Sequence, residues 1–527
     1  MEPVVHSVVG DRSVSSVLRE GARLHPDRVL LIYDDLESEP SSFTWREVLH
    51  HSEAAAQVLL AHGVQSGDAI HLHLSNCPEF LFTWFAAAHL GARIVPTNTA
   101  AAVPELAFIV SHARTRLSIA DDPSVESVAR AYDEAALDAR VLRPADLQRG
   151  AGGRLDSADP GPGADLGVIY TSGTTSRPKG VRVTHANYIY AGETVSAALR
   201  LTPQDRFLTV LPLFHANAQY YSTMGTLVTG GTIVLARRFS ATRYMDLAIR
   251  HGATVGSLFA APIRMILRQA PATHWTENRL RVVAFAQDLT DREHAEWLGR
   301  VNAPLLQLYG MTETIGPPVL NSLLWPRRHD AIGRPALGYQ CRIRRDDGSP
   351  AAIGEPGELL VGGVPGISLM AGYLDDPDAT AAVLKDGWLA TGDVVRWDPD
   401  GLLRFVGRAR DMIKRAGENV AASEVEAVLL DHPDVADAAV VGVPDPVRDE
   451  QIVAFVVHRQ GTNPSQETLR EWCAARLALF RVPSHFRIVS ELPRTAVGKI
   501  QKHRLKEQWS VAAGDGDHSR SVSSVAP

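Results

Sequence analysis

The chain has 527 residues, 45% of them hydrophobic and 21% charged: an ordinary globular composition, too long for one compact core, so two or three domains are expected. A net charge of −7 and a pI near 6.3 give no broad cationic field, which argues against nucleic acid or an anionic membrane as partner and leaves an anionic ligand needing a local site. Cys77, Cys341 and Cys473 have neither disulfide-framework nor zinc spacing, and the N-terminus MEPVVHSVVGDRS has no basic flank followed by an apolar block, so a cytoplasmic protein without a signal peptide is expected.

In chain order, residues 43–62 show helical periodicity, and GDAIHLHLSN then alternates like a strand. FLFTWFAAAHLGARIV, residues 80–95, is shorter than a membrane span and contains His89 and Arg93, so it is read as a buried helix running into a strand. Alternation recurs at GARIVPTN, TRLSIADD, RFLTVLPLFH, GGTIVLARR, ATVGSLFAAP and RLRVVAFAQ, with helix-length segments between, which predicts parallel α/β layers. From about residue 330 to 407 the texture changes to short strands and turns, a small β-rich subdomain on the α/β body. Residues 412–510 then supply helix SEVEAVLLDHP, strands VADAAVVGVPD and QIVAFVVH, helix SQETLREWCAARL and strand HFRIVSEL, enough for a small α+β domain. Residues 511–527 are small and polar and are expected to be a disordered tail.

One stretch carries unusual chemistry: YTSGTTSRPKG, residues 170–180, between strand-like ADLGVIY and a helix whose natural cap is Thr184. Gly173 and Gly180 allow unusual backbone angles, so successive N–H groups can converge on an anion; Thr171, Ser172, Thr174 and Thr175 add hydroxyl donors and Lys179 adds charge. The GxxxxGK[ST] spacing is absent, and judged by spacing alone such a stretch is more often a polar solvent turn than a phosphate site.

Its company decides the matter. LPLFH (211–215), YGMTET (309–314), TGD (391–393), GRARDMIKRAGENV (407–420) and PRTAVGKIQK (493–502) follow in that order. Together with the loop they resemble the adenylate-forming superfamily of acyl-CoA ligases, luciferases and peptide-synthetase adenylation domains, over residues 15 to 505. Within it, TSGTTSRPKGV, YGMTETI, GVPG and IKRAGENV look most like crotonobetaine/carnitine-CoA ligase-type enzymes. The resemblance implies an N-terminal adenylation body (1–407), a hinge (408–411) and a mobile C-terminal domain (412–510). It also implies a two-step reaction: a carboxylate attacks the α-phosphate of ATP and expels pyrophosphate, then a thiol, usually of coenzyme A, displaces AMP.

Roles follow residue by residue. The resemblance assigns the leaving phosphates to the loop, including Ser172, Gly173, Thr174, Thr175 and Lys179, and Mg²⁺ to Glu313 with Thr171 close by, since Mg²⁺ takes few protein ligands and keeps waters. Tyr309, Gly310, Met311 and Thr312 would meet the nucleotide, with Thr312 on the α-phosphate; Asp393 would accept both ribose hydroxyls and Arg408 would reach the same sugar. Lys499 matches the catalytic lysine, whose ammonium damps the repulsion between the attacking carboxylate and the α-phosphate. Its companion Lys502 is read as a surface charge. Arg410 stands at the hinge position, where Asp or Lys is usual, and Gly417 would line the pantetheine tunnel after rotation of the small domain.

The sequence departs from many members at AFAQDLT (284–290), where a glycine-rich segment is common; Gln287 and Asp288 add polarity beside adenine and the acyl group. His215 occupies the aromatic gate position, and Asn217, Gln219, Tyr220 and Ser257 are expected to face the acid. Burying such amides unpaired against an alkyl chain costs about 1–3 kcal/mol each, so a small polar or aromatic acid is expected. Other readings keep adenylation but change the acceptor to an amine, a carrier-protein thiol in trans or water. A further one activates nitrite to diazotise an aromatic amine. A non-catalytic binding protein is disfavoured by the presence of Lys499, Glu313, Asp393 and Arg408. A homodimer stays open.

Overall fold

The computed structural model describes residues 8–514 apart from 139, 151–154, 156–158, 172–177, 271–272, 325–327, 416–417, 446–448 and 495–499. The chain forms two compact units: Met1–Glu355, Leu359–Thr391 and Trp397–Arg404 make the first, and Pro356–Glu358, Gly392–Arg396 and Phe405–Pro527 the second.

The expected parallel layers are present in the first unit as two sheets. A seven-stranded sheet has a parallel core of Asp165–Thr171, Arg93–Pro96, Ala69–His73, Thr115–Ala120 and Val141–Leu142, in that spatial order. A nine-stranded sheet runs parallel through Leu305–Tyr309, Val282–Ala286, Val255–Phe259, Arg206–Thr209, Thr232–Ala236 and Val29–Asp34, with short antiparallel strands at both edges. These strands read as continuous apolar runs because helices cover both faces. The segment at residues 80–95 is a helix, Pro78–Leu90, started by Pro78 and stopped by Gly91 at φ +68°, followed by the strand Arg93–Pro96. Thr44 and Thr184 each close a capping box, fixing the starts of Trp45–Ala61 and His185–Leu199.

The β-rich texture after residue 330 becomes a five-stranded sheet of Gln340–Arg344, Gly357–Gly362, Trp388–Trp397 and Leu384–Lys385, with Leu403–Arg408 beside Trp388–Trp397. In the second unit, Val435–Asp445 and Asp449–His458 form a long antiparallel pair flanked by Met412–Arg415 and His485–Ile488. Alternate residues bury opposite faces: Val440 and Ala454 lie with Val425 and Leu469, whereas Val441 and Phe455 lie with Leu492 and Leu505. The last helix, Lys502–Gly514, runs past the expected boundary at residue 510, and residues 515–527 lie outside the described ones.

No helix among the described residues is long and apolar enough to cross a membrane. The three cysteines are free.

The helix His185–Leu199 packs closely against the helix Met224–Thr229. A Cβ on Gly192 would lie 2.7 Å from Met224 O and 2.9 Å from Met224 C, backbone that cannot swing aside. Gly192→Ala is expected to destabilise the first unit by about 1–3 kcal/mol, the usual cost of overpacking, read as a lowered midpoint in chemical denaturation.

Candidate active site

The two strands on either side of residues 172–177 are paired with each other. Asp165–Thr171 pairs antiparallel with a return strand, Lys179–Thr184, that places Thr171 opposite Lys179. Ser172, Gly173, Thr174 and Thr175 lie outside the described residues. The unusual backbone angle expected at Gly180 is absent from the positive-φ positions. Its lack of a side chain serves close approach instead: a Cβ there would lie 2.8 Å from Val168 Cγ1 and 3.4 Å from Leu374 Cβ.

Leu374 belongs to a segment that ties the hairpin to the second motif. Gly372 and Tyr373 pair with Arg182 and Val181 of the return strand, Leu374 N donates to Gly180 O at 2.8 Å, and Met370 N donates to Glu313 O at 2.9 Å. The Tyr373 hydroxyl donates to Glu313 Oε1 at 3.1 Å, and Lys179 Nζ sits 4.9 Å from the centre of the Tyr373 ring, within cation–π range. Burial first, and the Glu313 carboxylate second, push the Tyr373 phenol above its ordinary pKa, so it stays a donor. Three elements distant in sequence thus bring Lys179 and the buried Glu313 to one tyrosine.

Glu313 lies in a short turn, Thr312–Thr314, directly beyond the strand Leu305–Tyr309 and residues Gly310 and Met311. The next residue, Ile315, is held at φ +65°, a costly conformation for a β-branched side chain. Tyr339 over-determines it: its hydroxyl donates to Thr314 O at 2.8 Å and accepts from Gly316 N at 3.0 Å. Gly310 is required by space, since a Cβ there would lie 2.7 Å from the Tyr221 hydroxyl.

On the adenine side, Gln287 also adopts positive φ, +78°, immediately after the strand Val282–Ala286. Gln307 Nε2 donates to Gln287 O at 3.0 Å and to Asp288 Oδ1 at 3.2 Å, while the buried Gln307 Oε1 has no partner among the described residues. Loss of water raises the Asp288 carboxyl above its usual range, offset in part by Gln307 and Arg264, even though the residue keeps exposed surface. Gln307 is a site residue that the sequence reading missed; one glutamine within an apolar strand gave no signal.

The residues expected to face the acid sit at a topological switch point. The connection leaving Arg206–Thr209 goes to its neighbour Thr232–Ala236, whereas the one leaving the adjacent Val255–Phe259 goes the other way, to Val282–Ala286. Ligands of open α/β sheets bind at the carboxyl ends of such strands. Beyond the first strand, Asn217–Thr223 forms a π-helix, a geometry frequent at functional sites. The Ser257 hydroxyl donates to Asn217 Oδ1 at 2.9 Å, both side chains buried, and His215 packs against Phe214 with ring centres 4.4 Å apart. The Tyr220 hydroxyl reaches Thr312 O at 3.4 Å, linking this region to the Thr312–Thr314 turn. Gln219 is placed elsewhere: wholly buried, it accepts from the Tyr188 hydroxyl at 2.6 Å and donates to Leu213 O at 2.6 Å, so its amide serves the core and not the acid.

In the second unit, Arg408 Nε lies 3.2 Å from Asp393 Oδ1, an ion pair across adjacent strands on a buried carboxylate. The backbone of Arg410 lies in the short turn Ala409–Asp411, with its side chain outside the described atoms, and Gly417 and Lys499 are also outside the described residues. Lys502 corrects its reading as a surface charge: its Nζ lies 2.8 Å from Glu426 Oε1, which also accepts from Val440 N at 2.7 Å, and both side chains are largely buried.

Among the described residues no three metal-ligating side chains come together. The Glu313 carboxylate is a hard oxygen donor of the kind Mg²⁺ takes, so the residues fit a metal that brings its own waters and phosphates.

Residues 18–374 match the AMP-binding enzyme family and residues 424–499 match the AMP-binding enzyme C-terminal domain. Crotonobetaine/carnitine–CoA ligase of Escherichia coli O139:H28 (strain E24377A / ETEC) is 35% identical over 515 residues, covering 95% of this chain and 100% of that protein. o-Succinylbenzoate CoA synthetase from Bacillus subtilis, solved with its acyl-adenylate intermediate, superposes with a TM-score of 0.84 at 28% identity, over 94% of this chain and 98% of that one. A benzoate CoA ligase from Burkholderia xenovorans LB400 gives a TM-score of 0.86 at 25% identity, over 94% and 100%. The chain belongs to the AMP-binding enzyme family and is an AMP-forming acid–CoA ligase that activates its acid with ATP.

Two outcomes follow from the second unit. Asp393→Asn is expected to weaken AMP and ATP alike by about tenfold in calorimetric titration, because both share the ribose that the carboxylate would bind. Lys502→Met strands Glu426 in a buried site and is expected to destabilise that unit by about 3 kcal/mol, the lower end for breaking a buried pair, measured by denaturation of the full chain.

Proposed function

We propose that this chain makes the coenzyme A thioester of a small polar or aromatic carboxylic acid. The observation that carries the choice of acid is the buried hydrogen bond between Asn217 and Ser257 at the switch point of the nine-stranded sheet. With Tyr220 and His215 it supplies polar and aromatic groups where a fatty-acyl enzyme gains only from hydrocarbon. An alkyl chain offers these groups no further hydrogen-bond partner, whereas a polar acid can engage the amide N–H groups that the Ser257 bond does not use. The acids in the relatives' names, carnitine, o-succinylbenzoate and benzoate, belong to the same chemical range.

The roles proposed for the site follow the charge that develops. Attack of the acid on the α-phosphate builds negative charge on the phosphate oxygens and the departing pyrophosphate, so fixed donors and cations aimed there lower the barrier most. Lys179 and the hydroxyls of the 171–175 loop would hold the leaving phosphates, Thr312 the α-phosphate, and Asp393 with Arg408 the ribose. Gln287, Asp288 and the segment Tyr309–Gly310–Met311 would bound the nucleotide. Glu313 and Thr171 would hold Mg²⁺, which supplies charge neutralisation on the phosphates when bound. Lys499 would touch the attacking oxygen and the α-phosphate together. Turning of the small domain at 408–411, about Arg410, would then withdraw Lys499 and bring Gly417 to the thiol. The three free cysteines support a reducing, cytoplasmic setting.

Pyrophosphate release and product identity, measured over a panel of acids and nitrite with and without coenzyme A, test the reading. CoA thioesters of short polar or aromatic acids are expected, with long saturated acids poor. Preferred turnover of long-chain acids, or a diazo product from nitrite and an arylamine, would contradict it. Lys499→Ala is expected to abolish adenylate formation while leaving ATP binding within about twofold, as a group acting on the transition state should.

A further inference from the structure

Tyr373 belongs to none of the roles above, yet it touches two of the groups that carry them. Its hydroxyl donates to Glu313 Oε1 at 3.1 Å, and its ring face lies 4.9 Å from Lys179 Nζ. The tyrosine itself is held from every side. Its N–H donates to Thr380 Oγ1 at 2.9 Å, its backbone pairs with Val181, and the flanking N–H groups of Ala371 and Leu374 donate to Arg182 O at 3.1 Å and Gly180 O at 2.8 Å. The preceding Gly372 is at φ +135°, and a Cβ there would lie 3.1 Å from Thr380 Cγ2, so this tight passage accepts only glycine. The same short segment bonds the backbone of Glu313 through Met370 N. A side chain this firmly anchored can impose its geometry on the two flexible ones it meets, a lysine with four rotatable bonds and a glutamate with three.

We propose that Tyr373 is a positioning residue of the adenylation step, holding the phosphate-loop lysine and the metal-side carboxylate in register for one nucleotide. Its two arms act at different stages. The ring steadies the Lys179 ammonium through the cation–π contact, which presets the grip on the β- and γ-phosphates and acts on ATP binding. The hydroxyl orients the Glu313 carboxylate, which acts on the step in which pyrophosphate leaves. AMP has no β- and γ-phosphates, and thioester formation from acyl-AMP releases none, so neither depends on the pair. This inference rests on the proposed roles of Lys179 and Glu313.

The test uses the full chain and separates the arms. Binding of AMP and of α,β-methylene-ATP with Mg²⁺ is measured by calorimetry, and the two half-reactions are timed separately, the second from synthetic acyl-AMP and coenzyme A. Tyr373→Leu removes both arms and is expected to weaken the ATP analogue about tenfold while AMP changes by less than about twofold. Tyr373→Phe keeps the ring, so the analogue should still bind within about twofold, while acyl-adenylate formation slows about tenfold and thioester formation is unchanged. A purely structural role would lower AMP and analogue binding together and slow both half-reactions, and that result overturns the proposal. So does a Tyr373→Phe variant with unaltered adenylation, which remains decisive if the leucine variant does not fold. Lys179→Ala is the control for the underlying reading. If it leaves the ratio of analogue to AMP affinity unchanged, the hairpin does not grip the leaving phosphates, and the present proposal falls with it. If it lowers that ratio and Tyr373→Leu does not, only the proposal about Tyr373 fails.

Discussion

A carboxylate and an ammonium have to wait close together for a nucleotide that carries about four negative charges, without collapsing onto each other or being drowned in water. In this chain the groups proposed for the task are Glu313 and Lys179, and both contact one tyrosine. Glu313 is buried, and a buried carboxylate is tolerable only with donors around it. One is the Tyr373 hydroxyl, kept protonated by burial and by the carboxylate it serves. Much of the surrounding structure maintains this arrangement. The hairpin sets Lys179 opposite Thr171, the strand Leu305–Tyr309 delivers the Thr312–Thr314 turn, and the strained Ile315 is locked by two hydrogen bonds to Tyr339.

The groups proposed to select the acid are placed by a different device. In the nine-stranded sheet, two neighbouring parallel strands send their connections in opposite directions, which opens a crevice at their carboxyl ends. Asn217 and Ser257 meet there, and the π-helix that carries Asn217 also carries Tyr220, whose hydroxyl reaches the Thr312 carbonyl. The acid side and the phosphate side are therefore mechanically joined through one short turn. A change of acid that disturbs Tyr220 should be felt at Thr312. This offers a physical route by which binding energy from the acid is expressed in the adenylation step rather than in affinity alone.

Much of this was legible in the sequence because it rests on period and spacing. The helix Trp45–Ala61 follows from the helical periodicity of residues 43–62, and the parallel layers follow from strand-like segments recurring with helix-length segments between them. The resemblance assigned Asp393 and Arg408 to one sugar without pairing them; adjacent strands bring the two together as an ion pair. What stayed hidden depends on where a side chain points. Gln219 and Asn217 are two residues apart in one polar stretch, yet the π-helix turns the first into the core and leaves the second beside Ser257. Lys502 looked like solvent charge because its partner Glu426 is distant in sequence. Gly180 was explained by backbone angle, when the reason is the close approach of Val168 on the paired strand, a cross-strand contact that no local pattern announces. Tyr373 carried no motif of its own, and its importance comes only from the two residues it touches.

The central claim is that this site makes an acyl-adenylate and releases pyrophosphate before any thiol takes part. Exchange of labelled pyrophosphate into ATP, run with a small polar or aromatic acid and without coenzyme A, tests this most directly. Exchange that requires the acid, and that disappears with Lys499→Ala, is the expected result. Acid-dependent formation of ADP and phosphate, or pyrophosphate exchange that appears only when coenzyme A is added, would contradict it.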